Sequence, residues 1–232
     1  IPSICSGHGG DGTCFIMSCF MVMRFDWIAR HYGWIESIVF GEDLQRIRCS
    51  HMENFLEAKS ILLLGDGNGR FIKSLIDSGC SAKIICVDSS QRMLNLAESL
   101  TKGSERNVHF VFSKIEDYNL PDSFIPDVIG SHFFLDCFNE DEILVILGRI
   151  SGWCKEHTKL IISDFAIPEK KGSTRVIARL LVWKMIVFFR IFAGISAYKL
   201  PKISQLLPEM SYKCIKKETL RNGFICSWVW QL

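Results

Sequence analysis

Metal-binding cysteine spacing is missing from this sequence. Its ten cysteines include no CxxC pair, and no histidine lies at zinc-ligand spacing from a cysteine pair. Several sit in apolar runs, such as Cys86 in KIICVD and Cys226 in FICSW. That reads as buried thiols in a reducing cytoplasm, not as disulfides or a metal site. An excess of one charge is missing too: 27 basic and 25 acidic residues leave +2. With no basic block and no RNA-binding signature, a dedicated nucleic-acid binder is not expected. Residues 13–23, TCFIMSCFMVM, are apolar but shorter than the roughly 20 residues a bilayer span takes. No basic stretch precedes them and no A-x-A-like cleavage site follows, which argues against a signal peptide. Internal repeats and low-complexity tracts are also lacking.

The remaining composition is that of a globular protein: 232 residues, 48% hydrophobic and 22% charged, enough for one α/β domain. Patterned sequence starts near residues 23–25. Residues 1–22 are therefore expected to be a poorly ordered or spurious extension, and 23–232 a single domain.

Residues 25–57 read as two helices broken near Gly41, by their helical apolar stripes. The period then changes. SILLLG (60–65) is a short apolar run of the kind buried on both faces of a sheet. RFIKSLIDSG (70–79) is a helix ending at a glycine. AKIICVD (82–88), NVHFVFS (107–113), PDVIGSHFF (126–134) and TKLIISDF (158–165) read as further strands. Between them, 89–100 is a helix with a serine cap, and 139–154 is a helix with acids in its first turn. A long apolar helix covers about 173–194. YKCIKKETL and FICSWVWQ are two β-like runs joined by RNG, and Asn222-Gly223 is a strong hairpin signal. Strands alternating with helices predict a parallel sheet with right-handed crossovers, to which a terminal hairpin adds an antiparallel strand.

ILLLGDGNGRF (61–71) carries the function. Its glycines, Gly65, Gly67 and Gly69, join a strand to a helix, where a ligand settles at the C-terminal edge of a parallel sheet. Glycine supplies positive φ and lets a ligand lie against the backbone. The next strand ends at Asp88, a carboxylate suited to both hydroxyls of a ribose. A dinucleotide fingerprint, G-x-G-x-x-G, fails in either register, on Arg70 or on Ile72. G-x-G-x-G suits a nucleoside cofactor without pyrophosphate and points to S-adenosylmethionine (SAM). The alternative is a glycine turn that merely packs a helix on a strand.

These motifs resemble those of the class I SAM-dependent methyltransferases, over about 25–232. LLLGDGNGR resembles the family's first motif, Asp88 in CVDSS its ribose acid, and PDVIGSHFFLDCF and LIISDF its fourth- and fifth-strand motifs. FDWIARHYGWIE is similar to the opening of quinone-biosynthesis and related small-molecule methyltransferases. The resemblance implies a Rossmann-like, doubly wound, mostly parallel seven-stranded sheet with a C-terminal antiparallel hairpin. It also implies a helical cap from 25–57, a helical lid from 165–205, and SAM as cofactor.

Carried over residue by residue, the implied cofactor site comprises Gly65, Asp66, Gly67, Asn68, Gly69, Asp88, Ser89, Met93, Lys114, Ile115 and Ser131. Tyr32 resembles a tyrosine that closes over the methionine part, or else it packs the N-terminal helix. Met93 lies over the nucleoside, or else it is a core residue. Two departures stand out. Leu63 occupies the position of a family acid, with Asp66 the candidate substitute. Lys114 occupies the position of an aspartate that accepts from the adenine amine.

His132 is the candidate general base, by its pKa near working pH, although methyl transfer from a sulfonium needs only proximity and orientation. Asp136 and Cys137 either shape the acceptor pocket or serve as a cap and a core thiol. In 173–194, Arg175, Arg179 and Arg190 share a narrow arc with Lys184 opposite. That helix covers the acceptor pocket, forms a dimer face, or makes peripheral membrane contact.

The leading expectation is a cytoplasmic, possibly membrane-associated enzyme, monomeric or homodimeric. It would methylate a small apolar or aromatic acceptor at oxygen or carbon, since the N-P-P-aromatic signature of amine methylation is replaced by SHFF. The alternatives are a non-catalytic SAM-binding scaffold and an NAD(P)-dependent oxidoreductase.

Overall fold

The computed structural model describes residues 40–103, 107–169, 172–192 and 194–232. The expected extension at 1–22, the first cap helix and Tyr32 lie outside them. Two short helices come first, α1 (Asp43–Arg48) and α2 (Met52–Glu57). The alternating region follows: β1 (Ser60–Leu64), α3 (Arg70–Asp77), β2 (Lys83–Asp88), α4 (Gln91–Thr101) and β3 (Val108–Phe112). Next come β4 (Val128–His132), a 3-10 turn at Leu135–Cys137, α5 (Glu140–Trp153) and β5 (Lys159–Phe165). The chain ends with α6 (Ser173–Phe192), α7 (Ile203–Glu209), β6 (Lys213–Leu220) and β7 (Ile225–Gln231).

One seven-stranded sheet in the order β3-β2-β1-β4-β5-β7-β6 forms the centre. Its first five strands pair in parallel, and β7 runs antiparallel between β5 and β6. The apolar runs are continuous because both faces are covered. Leu62 and Leu64 join Val87, Ile129 and Ile162 in the core beneath α5. Ile61 and Leu63 join Ile84, Cys86 and Val128 in the core beneath α3. Seven free cysteines lie among the described residues; Cys86, Cys154 and Cys226 are buried and Cys214 is exposed.

Local sequence sets the boundaries. Asn139 caps α5 by accepting from the Glu142 N–H at 3.1 Å, and Glu142 returns a carboxylate to the Asn139 N–H at 2.9 Å. This capping box starts the helix that closes one face of the sheet. The hairpin is wider than a two-residue turn: Arg221, Asn222 and Gly223 all take positive φ between β6 and β7. β6 is exposed along nearly its whole length, so its KCIKKE run is a solvated edge. α7, which the apolar pattern did not reveal, buries Ile203 and Leu207 in the α5 core.

The strand order reverses direction between β1 and β4. The connections leaving those two strands diverge there and open a crevice at their C-terminal ends.

Candidate cofactor site

The three glycines after β1 each answer a different demand. Gly65 has φ 63° and donates its N–H to the Val87 carbonyl at 2.9 Å. A Cβ there would lie 2.3 Å from the Phe134 ring, so Phe134 packs directly on the turn. Gly69 has φ 80°, and a Cβ would fall 2.6 Å from the Cα of Ala97, because α4 is pressed against the turn. Gly67 has φ 63°, and none of the described residues lies within 4 Å of where a Cβ would stand. It is the open part of the cradle, with half-buried Asn68 beside it. Asp66 turns a carboxylate oxygen to the Ile72 N–H at 3.3 Å, which favours the first turn of α3. Leu63, at the position of the family acid, is 1% exposed in the α3 core.

Asp88 stands half-buried at the tip of β2. Its carboxylate accepts from the Ser90 N–H at 2.8 Å. Ser90 in turn caps α4 by accepting from Met93 N–H at 3.3 Å, which fixes the bend. Ser89, between them, is exposed, while Met93 is 3% exposed. The Asp88 carbonyl accepts from Ser113 N–H at 3.1 Å and ties the tip of β3 alongside. Lys114 is half-buried, and its carbonyl closes a turn by accepting from Tyr118 N–H at 3.0 Å. Ile115 is buried in the same core as Val87. Thus Gly65 to Gly69, Asp88, Ser89, Lys114 and Ile115 meet along the edge of β1, β2 and β3. That edge fits a nucleoside: an open glycine backbone faces it, with a carboxylate at the neighbouring tip.

The tip of β4 departs from expectation at His132. The ring is 5% exposed, sits 4.5 Å edge-on to Phe71, and places Nδ1 2.9 Å from the Ser163 hydroxyl. Burial, with the charges of Arg48 and His51, lowers its pKa to about 3. Such a group stays neutral and removes protons poorly near neutral pH, so burial gives His132 a packing role in place of the expected base role. Ser131, one residue earlier, is 1% exposed and its hydroxyl has no hydrogen-bond partner among the described residues. Phe133 takes φ 54°, a conformation that strains a bulky residue by about 1–2 kcal/mol. Its N–H donates to the Ser163 carbonyl at 2.7 Å, and the Arg48 guanidinium lies 5.0 Å above its ring. The kink brings Phe134 back over Gly65.

Sequence reasoning missed Asp164, the sixth residue of β5, whose carboxyl is 1% exposed. Its Oδ1 accepts from Phe165 N–H at 2.8 Å, and its Oδ2 has no partner among the described residues. An acid inside an apolar strand was the available signal. Asp164 and Asp136 lie close enough to repel one another. Burial and then the charge of Asp136 push Asp164 well up. Burial raises Asp136 from 3.8 to about 6, against opposing hydrogen bonds and Arg48.

The folded state therefore holds an extra proton on Asp136 between about pH 4 and 6. Stability drawn from this group falls as pH rises through that window. His132 works in the opposite direction, since its lowered pKa adds stability as pH rises from about 3 towards its ordinary 6.5. The difference between variant and wild type isolates the carboxyl. Asp136→Asn should raise Tm relative to wild type at pH 7.5 and lose that advantage by pH 4.5, as read by calorimetry. A constant offset would contradict the assignment.

Comparison with known proteins agrees with this geometry. Residues 61–157, from β1 to the loop before β5, match a family model described as a methyltransferase domain. Over that stretch the chain is similar to methyltransferase domains. The chain is 24% identical over 183 residues to phosphoethanolamine N-methyltransferase 1 of Triticum aestivum, covering 75% of this chain and 35% of that protein. Human N-acetylserotonin methyltransferase, solved with SAM, superposes with TM-score 0.65 at 12% identity, covering 97% of this chain and 60% of that one. The DhpI complex with S-adenosylhomocysteine (SAH) superposes with TM-score 0.60 at 13% identity, covering 92% and 96%. Mitomycin 7-O-methyltransferase MmcR gives TM-score 0.64 at 15% identity, covering 89% and 60%. The chain thus spans about a third of the length of the plant protein, and the structural likenesses show that its fold is that of the class I methyltransferases.

Proposed function

We propose that the chain is an active enzyme that moves the methyl group of SAM to a small apolar or aromatic acceptor, at oxygen or carbon. The carrying observation is the pairing of the open Gly67 backbone with Asp88 at the adjacent strand tip. Gly65 to Gly69 would hold the cofactor against the main chain, Asp88 would accept from the ribose hydroxyls, and Ser89, Lys114 and Ile115 would border the base. When bound, the sulfonium supplies a methyl group already activated for displacement. The protein contributes alignment and exclusion of water. Phe134 roofs Gly65 and meets Phe138 edge-on at 4.9 Å, an apolar wall that favours an apolar acceptor. The neutral, packed His132 supports transfer without a histidine base.

A second reading is an amine acceptor. The plant relative is an N-methyltransferase, and the neighbouring carboxyls Asp136 and Asp164, held up in pKa by burial and mutual repulsion, would ionise beside a cationic substrate; both favour it. An SAH-release assay separates the two. Lipophilic phenols and quinols should turn over, and phosphoethanolamine should not. Turnover of phosphoethanolamine alone would replace the first reading with the second. SAH binding without turnover of either class would favour a scaffold.

A further inference from the structure

The helix α6 (Ser173–Phe192) is apolar on two opposite sides. Its inner side is accounted for: Ala178, Val182 and Ile186, one turn apart, pack into a core with Phe165, Phe224 and Ile225. Its outer side packs into no core among the described residues. Val176 is 68% exposed, Leu180 52%, Trp183 62% and Ile191 53%, and Val187 is exposed on the same stripe. Ile177 and Leu181 widen that stripe. Single exposed apolar residues are ordinary, but a continuous stripe along about four turns marks a contact surface.

Charge chooses the occupant. The helix carries Arg175, Arg179, Lys184 and Arg190 and no carboxylate. Arg179 and Lys184 are exposed, and Arg190 lies 3.7 Å over the ring of Tyr198, itself 71% exposed. At the helix start, Arg175 and Arg179 face an open hollow of about 360 Å³ with Gly172 and Val176. A second copy on this stripe would set like cations against like, with Lys184 in the middle of the apolar surface. A bilayer with anionic headgroups instead takes apolar side chains into the acyl boundary and basic ones at the headgroups, with Trp and Tyr at the interface. No helix among the described residues is long and apolar enough to cross a membrane. Contact would therefore be parallel to the surface.

We propose that α6 docks flat on an anionic lipid bilayer, through the stripe from Val176 to Ile191 flanked by its arginines. The proposal stands on the helix alone, and SAM binding does not bear on it.

The test is co-sedimentation of the full chain with vesicles of equimolar phosphatidylcholine and phosphatidylglycerol, and with phosphatidylcholine alone. Binding to the mixed vesicles is expected, at least ten-fold weaker to phosphatidylcholine and at least ten-fold weaker for a Leu180→Ser/Trp183→Ser/Ile191→Ser variant. That variant should keep its Tm within a few degrees of wild type, as surface substitutions do. No sedimentation of wild type would overturn the proposal, as would undiminished binding by the variant. Two further results would assign the stripe to another occupant and equally overturn it. One is dimerisation in buffer that the variant abolishes, measured by sedimentation equilibrium. The other is a large fall in variant Tm, which would mean the chain itself covers the stripe.

Discussion

Asp88→Ala should weaken SAH binding by about a hundred-fold or more. A hydrogen bond to a charged acceptor contributes about 1.5–3 kcal/mol, and in the proposed site the carboxylate would accept from both ribose hydroxyls. Losing two removes about 3 kcal/mol at the lower bound, or two orders of magnitude in Kd. The fold should survive. Asp88 is half-buried and accepts from Ser90 N–H, while the cap of α4 is the Ser90 hydroxyl. Asp88→Asn should fall between wild type and alanine, since the amide keeps one accepting oxygen. Isothermal titration with SAH reads all three. Unchanged affinity in Asp88→Ala would mean that the nucleoside is held elsewhere.

Two alanine substitutions two residues apart, at Gly69 and Gly67, should fail in different ways. Gly69→Ala should lower Tm by about 10 °C. The new Cβ would meet Ala97 backbone at 2.6 Å and must also adopt φ 80°, so α4 has to move. Strain of about 1–2 kcal/mol adds to overpacking of about 1–3 kcal/mol. Gly67→Ala carries the same φ penalty but meets none of the described residues within 4 Å. Its Tm should fall by only a few degrees, while SAH affinity drops about ten-fold or more as the methyl enters the cradle. Thermal scans with and without SAH distinguish the two. Equal Tm losses, or a Gly67→Ala protein that binds normally, would contradict the assignment of Gly67 as the approach point.

Much of the architecture was legible because parallel strands covered on both faces must be continuously apolar. SILLL, KIICVD and KLIISDF are strands as expected, and RNG is the connection of the closing hairpin. The glycine turn was legible because positive φ recurs at Gly65, Gly67 and Gly69. Its division of labour was not, since only packing shows that Phe134 and Ala97 fill two of the three sites. His132 misled because sequence places a residue on a strand tip without saying which neighbours surround it. Phe71 and Ser163 come from distant segments and decide its charge. Asp164 went unnoticed for a related reason, as its pairing with Asp136 is made by the 3-10 turn after β4. The short α7, with Pro208 inside it, has too few turns to print a helical stripe.

The central claim is that the turn at Gly65 to Gly69 and the carboxylate of Asp88 grip a nucleoside lacking a pyrophosphate. Titration of the wild-type chain with SAH, beside NADH under the same conditions, tests it most directly. Saturable one-to-one binding of SAH in the micromolar range, with no heat from NADH, is the result expected. No saturable SAH binding, or binding of NADH in its place, would contradict it.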